Sequence, residues 1–119
     1  MTRAIVLFGH GSRDPQWREP IEAVARLIRT RMPSAEVRCA FLELDAPDLR
    51  RAVGDLVAGG TDAIRIVPMF LGVGRHACED LPRLVGECRA AHPAVHFELQ
   101  PSVGENPRLL DLLALIAAE

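Results

Sequence analysis

The chain contains no lysine; its 14 cationic side chains are all arginine, and no function follows from that choice. The formal net charge is −2, which argues against a nucleic-acid partner, because such proteins carry a basic excess. Cysteine is scarce and irregular: Cys39, Cys78 and Cys88 form neither an even framework nor a C-x-x-C pair. That excludes a disulfide scaffold and argues against structural zinc. The first residues run straight into a strand pattern with no signal-peptide layout, so a cytoplasmic protein with reduced thiols is expected. No apolar run approaches the roughly 20 residues that cross a bilayer, so no membrane partner is expected. A P-loop and a G-x-G-x-x-G fingerprint are both absent, which places a nucleotide-binding module low. There is no internal repeat and no low-complexity linker.

What is present fits one globular domain over residues 1–119, with 49% hydrophobic and 25% charged residues. Arg3 to Phe8 reads as a buried strand. Pro15 to Thr30 reads as a helix with Ile21, Val24, Ala25, Leu27 and Ile28 on one face; Pro20 belongs in its first turn, with Gln16 to Glu19 as lead-in. Glu36 to Leu42 is a second strand and Asp48 to Ala58 a second helix, closed by Gly59-Gly60. Ala63 to Pro68 is a third strand. Ala77 to Ala91 is a third helix, with an interruption expected near Pro82. Val95 to Gln100 is a fourth strand, Pro101 to Asn106 a loop, and Pro107 to Ala118 a final helix. Its Leu109, Leu110, Leu112, Leu113 and Ile116 are expected to pack inward. Four strand–helix units imply an α/β, flavodoxin-like four-stranded parallel sheet with helices on both faces, order 2-1-3-4.

The stretch Phe8-Gly9-His10-Gly11-Ser12-Arg13 is the focal feature. A histidine between two glycines at a strand-to-helix turn sits where open α/β sheets bind ligands. It reads either as a metal ligand or general base, or as a strand-end cap without chemistry. A parallel sheet brings the carboxyl ends of its strands to one edge, so His10, Glu43 and His76 converge there. Two imidazoles and a carboxylate suit a divalent transition metal or proton transfer near neutral pH. Taken singly, Glu43 reads as a solvated strand-end residue, His76 as an exposed helix-start residue and Asp80 as a structural cap before Leu81-Pro82. His92 and His96 fall on the opposite edge and read as surface residues. The Met69–Val73 loop offers an apolar wall for a flat hydrophobic ligand, although Met69 and Phe70 are more often core residues than ligand contacts.

Gly9-His10-Gly11-Ser12-Arg13-Asp14-Pro15 and Pro68-Met69-Phe70-Leu71-Gly72-Val73-Gly74-Arg75-His76, continuing to Glu79-Asp80-Leu81-Pro82, resemble the two signature segments of the CbiX/SirB-type class II chelatases. Phe41-Leu42-Glu43 with Pro47 resembles a third segment, and Pro101-Ser102-Val103-Gly104 before an apolar helix resembles the family's ending. The resemblance implies insertion of Co²⁺ or Fe²⁺ into sirohydrochlorin, on the routes to cobalamin and siroheme. It implies that His10 and His76 ligate the metal and accept pyrrole protons, with Glu43 assisting. The metal is substrate, and no permanently bound cofactor is expected. Single-domain length implies the short form of the family, a homodimer with its cleft between subunits. Ser12, Arg13, Met69, Phe70, Leu71 and Arg75 are the candidate contacts to the tetrapyrrole. Arg13 and Arg75 would pair with its carboxylates, helped by helix N-termini on the same edge.

Other readings stay open on the residues alone. A metal or tetrapyrrole carrier of the same fold would bind without turnover. A phosphohistidine enzyme wants arginine immediately before its histidine, and Gly9 stands there. The donor set accepts Co²⁺, Fe²⁺, Ni²⁺ and Zn²⁺ alike.

Overall fold

A computed structural model describes residues 3–72 and 74–119, the side chains of 75–78 excepted. Strand β1 (Arg3–Gly9) is buried on both faces, which is why it reads as a continuous apolar run and not as an alternation. It pairs in parallel with β2 (Glu36–Phe41) on one side and β3 (Ala63–Pro68) on the other, and β4 (His96–Leu99) completes the edge beside β3. The order is β2-β1-β3-β4, as the alternation of elements predicts.

Helix α1 (Glu19–Arg31) covers one face, and α2 (Leu49–Ala58) and α3 (Arg75–Ala91) the other. On the α2–α3 face, Val6 and Phe8 of β1 and Ile64 and Ile66 of β3 pack with Leu49, Val53, Leu56, Leu81 and Val85. On the α1 face, Ile5, Leu7, Val37, Cys39 and Phe41 pack against Ala25, with Ile21, Val24 and Ile28 at the margin. The period-two alternation of each strand divides these two cores.

Local signals set most boundaries. Pro15–Arg18 forms a 3-10 turn whose first N–H group is capped by Asp14 Oδ1, 3.0 Å from the Gln16 nitrogen. Pro20 then occupies the first turn of α1, where its missing N–H costs nothing. Asp48 caps α2 through the Arg51 nitrogen at 2.8 Å.

Three expectations need correction. Helix α3 begins at Arg75 and runs unbroken through Pro82, which lies on its exposed side and removes one i→i−4 donor without ending the helix. Asp80 therefore lies inside α3 and caps nothing; it pairs with Arg83 at 3.4 Å. The final helix, α4 (Pro107–Ala118), has the expected span but does not pack inward. Leu110, Leu112, Leu113, Leu115 and Ile116 are all exposed, and Leu109 is only partly covered. Its substantial contacts are with the 3-10 turn Val103–Glu105 that precedes it. The apolar periodicity was a sound sign of a helix with a face to bury, but periodicity does not say what covers that face.

Candidate active site

The carboxyl edge of the sheet is extended by hydrogen bonds beyond the strands. The Leu42 N–H donates to the Gly9 carbonyl at 2.9 Å, the Glu43 N–H to the His10 carbonyl at 3.0 Å and the Met69 N–H to the Phe8 carbonyl at 2.8 Å. These bonds carry the histidine loop, the Glu43 loop and the start of the Met69 loop out as one platform.

Gly11 is required there. Its φ is +93°, and a Cβ at this position would fall on the Glu43 carbonyl oxygen. Beyond it, the Ser12 hydroxyl accepts from the Asp14 N–H at 3.1 Å, so the loop is held by its own side chains before the 3-10 turn begins. Leu44, next to Glu43, has φ 61°, a left-handed conformation that leucine adopts only under constraint.

The imidazole of His10 lies over the ring of Phe70, centroids 4.1 Å apart and planes tilted by 31°. Phe70 is itself buried, with its ring edge-on to Phe8 at 6.0 Å. Its carbonyl accepts from the Ser102 hydroxyl at 2.5 Å and from the Gly104 N–H at 2.9 Å. A Cβ on Gly104 would overlap the Leu71 carbonyl, so this close approach also needs glycine. The Pro101–Gly104 segment thus anchors the residue that backs the histidine.

His10 opens into a cavity of about 550 Å³. The walls are Trp17, Pro20, Ile21, Phe41 and Met69, with Gly9, Gly11, Ser12 and Arg18 completing them. That mixture of apolar surface and one imidazole is typical of a site for an organic ligand. Arg18 is committed to structure: it pairs with Glu22 at 2.9 Å and Asp45 at 3.0 Å, donates to the Ala46 carbonyl at 3.1 Å and lies 4.8 Å from the Phe41 ring centroid. The hydrogen bond to Glu22 raises its pKa above the ordinary arginine value. Arg18 ties the start of α1 to the loop after β2, and so fixes one wall of the cavity.

The structure brings His10, Ser12 and Met69 to this cavity. Glu43 meets His10 through the backbone, while its side chain is exposed outside the cavity wall. Phe70 reaches the site from beneath, through the imidazole. Arg13 and Leu71 are exposed at the same edge. The side chains of Arg75 and His76 lie outside the described residues; their backbone opens α3, which follows β3. His92 and His96 do fall on the opposite edge, at the end of α3 and the start of β4. Among the described residues, no three His, Cys, Asp or Glu side chains form a metal-binding group.

Sequence reasoning passed over Trp17, Pro20, Ile21 and Phe41 as cavity walls. One signal was available: the sole tryptophan stands five residues after Ser12, in a stretch read only as a helix lead-in.

Fold and site together define a parallel α/β domain with a histidine-bearing cavity at the strand carboxyl ends. The chain belongs to the CbiX family, whose sequence model matches residues 4–119. It is similar to the sirohydrochlorin cobaltochelatase of Methanopyrus kandleri, 37% identical over 83 residues that cover 70% of this chain and 58% of that one. A sirohydrochlorin cobaltochelatase of Methanococcus aeolicus is 36% identical over 87 residues, 71% of this chain and 61% of that one. The matched stretch thus spans about three fifths of the length of these relatives. Among solved structures, a CbiX protein of Marinobacter aquaeolei VT8 superposes with a TM-score of 0.84 at 31% identity, covering 98% of this chain and 94% of that one. The sirohydrochlorin chelatase SirB of Bacillus subtilis subspecies spizizenii, in complex with cobalt, shares the fold with a TM-score of 0.81 at 23% identity; 97% of this chain covers 49% of that one.

Proposed function

We propose that this chain inserts a divalent metal ion, Co²⁺ or alternatively Fe²⁺, into sirohydrochlorin, in cobalamin or siroheme biosynthesis. The observation that carries the reading is the His10 imidazole, backed by Phe70 and facing an apolar-walled cavity, in a chain of the CbiX family. Insertion exchanges one M²⁺ for the two pyrrole N–H protons, so the site must hold the metal briefly and accept two protons. Neutral imidazole suits both tasks: it binds borderline metals without added charge and titrates near neutrality, at roughly pH 6.5 when free. His10 and His76 are the proposed ligands and proton acceptors, with the Glu43 carboxylate assisting at the same edge. The cavity walls hold the macrocycle, and Arg13 and Arg75 pair with its carboxylates. The working form in this reading is a cytoplasmic homodimer with the cleft between subunits.

The test is an anaerobic absorbance assay with sirohydrochlorin and Co²⁺ or Fe²⁺, run beside His10→Ala and His76→Ala. Multiple turnovers that vanish in both variants are expected, and the faster metal indicates the pathway. Stoichiometric binding with no rate above the spontaneous reaction would overturn the enzyme reading in favour of a carrier.

A further inference from the structure

The loop between β2 and α2 holds an unfavourable backbone conformation at its apex, and three attachments surround it. The Phe41 N–H donates to the Pro47 carbonyl at 2.9 Å and closes the loop on itself. On the near side, Leu42 and Glu43 donate to the Gly9 and His10 carbonyls. On the far side, Arg18 Nη1 donates to Asp45 Oδ1 at 3.0 Å and to the Ala46 carbonyl at 3.1 Å. Leu44 lies between these two sides with φ 61°. Its side chain is exposed, so no packing of its own holds that conformation. A left-handed leucine persists only where its surroundings leave no alternative, and here both flanks are pinned.

Arg18 suits this task by its shape. Nε and Nη2 donate to Glu22 Oε1 at 3.3 and 2.9 Å, which fastens the guanidinium to α1. Its Cζ lies 4.8 Å from the Phe41 ring centroid. One planar group thus joins α1, the end of β2 and the loop beyond it, and lysine cannot reproduce that fork. The Asp45 oxygen it holds also accepts from the Ala46 N–H at 2.8 Å, so the carboxylate is fixed on the loop's own backbone. Arg18 lines the cavity beside His10, yet all three of its nitrogens are engaged by acceptors of the chain itself.

We propose that Arg18 is a positioning residue for metal insertion: through Asp45 and the Ala46 carbonyl it holds the Leu44 turn, and so keeps Glu43 bonded beside His10. This assignment deepens the function proposed above and rests on it.

The test uses the full chain and has two arms. In the absorbance assay, Arg18→Met should lower kcat about 10- to 100-fold with KM unchanged, the scale of loss when a reacting group is misplaced by about an ångström. Arg18→Lys should not rescue it. Asp45→Asn weakens the pair without removing the acceptor and should lower kcat by less. In a Glu43→Gln background Arg18→Met should slow the reaction no further, because the group it positions is already gone. A raised KM at parental kcat would make Arg18 a contact for substrate carboxylates and overturn the proposal. An equal fractional loss in the Glu43→Gln background would overturn it too, by showing a role that bypasses Glu43.

The second arm is amide hydrogen exchange without substrate. Arg18→Met should speed exchange at Leu42 and Glu43 and leave Met69, bonded to the Phe8 carbonyl, as protected as in the parent. Parental exchange at Leu42 and Glu43 would overturn the proposal, as would loss of protection at Met69, which would mean that the whole edge loosens. The two arms separate the readings. Faster exchange at Glu43 in Arg18→Met beside a parent that does not turn over sirohydrochlorin sinks the chelatase reading alone. An active parent, with parental exchange and kcat in Arg18→Met, sinks the positioning role alone.

Discussion

The Glu43 N–H donates to the His10 carbonyl at 3.0 Å, joining two residues 33 apart in sequence. The bond exists because Gly11 lets the histidine loop pass directly over the Glu43 carbonyl. Gly11→Ala meets two penalties: φ +93° is unfavourable for alanine, and the new methyl group has no space. The expected loss is at least about 1–3 kcal/mol of stability, with the loops after β1 and β2 moved apart. Denaturant unfolding measures the first effect and metal-insertion rate the second. A variant with parental stability and rate would show that the two loops are not coupled.

This coupling also shows where sequence reasoning succeeded and where it stopped. A Gly-His-Gly turn after an apolar strand, with βα alternation, placed His10 and Glu43 on one edge without coordinates, because parallel topology leaves little choice. Pro20 and Asp48 marked their helix starts through chemistry that is purely local. Pro82 misled in the opposite direction: the missing donor weakens α3 at one exposed position, and packing of Leu81 and Val85 outweighs it. Helix α4 failed for a different reason. Its stripe specifies a need for burial, whereas the locked turn from Ser102 to Asn106 decides the direction, and that turn depends on contacts with Phe70 from another part of the chain. Trp17 and Phe41 became cavity walls only once α1 and β2 were placed side by side.

His10 and Phe70 should separate chemistry from support. His10→Ala removes an exposed ring, and thermal unfolding should change little while insertion activity disappears. Phe70→Ala opens a hole between β1 and α3 and should cost about 3–5 kcal/mol. Phe70→Leu preserves most of the volume but removes the aromatic face under the imidazole. It should retain the fold and lower kcat more than it raises KM. An unchanged kcat in Phe70→Leu would reduce Phe70 to a core residue.

Ser102 should act on the same site from further away. Its hydroxyl is one of two donors to the Phe70 carbonyl, and Gly104 remains when it is lost. Ser102→Ala should therefore cost only about 0.5–1.5 kcal/mol in denaturant unfolding. A much larger loss would mean that the Gly104 bond does not survive alone.

Trp17 is the chain's only tryptophan, is 72% exposed and lines the cavity beside His10. Its fluorescence therefore reports on the cavity without interference from another indole. Titration with sirohydrochlorin in the absence of metal should quench it saturably, and the quench should persist in His10→Ala. Aromatic stacking is worth about 0.5–1.5 kcal/mol beyond area burial, so Trp17→Ala should weaken binding roughly 2- to 10-fold. Unquenched emission at saturating ligand would move the macrocycle away from this wall.

The absence of lysine and tyrosine makes alkaline stability readable at the thiols. Cys39 is buried in the α1-side core, and that burial pushes its pKa up from 9.0 to about 11, reinforced by nearby Glu22 and partly offset by Arg18 and Arg29. Burial raises Cys88 in the same direction. In the unfolded chain the Cys39 thiol loses its proton near pH 9, whereas in the fold it keeps it to about pH 11. The unfolded state therefore binds fewer protons across this window, and stability must fall as pH rises through it. Below about pH 9 both states hold the proton and the contribution is constant. Unfolding free energy measured between pH 8 and 11 should decline progressively, and Cys39→Ala should flatten that decline even though the lost sulfur lowers stability at every pH. Thiolate absorbance in the folded protein should rise late, with no tyrosinate signal beneath it. An equally steep decline in Cys39→Ala would assign the alkaline loss to Cys88, Cys78 or the terminal amine, because the chain has no lysine or tyrosine to titrate in that range.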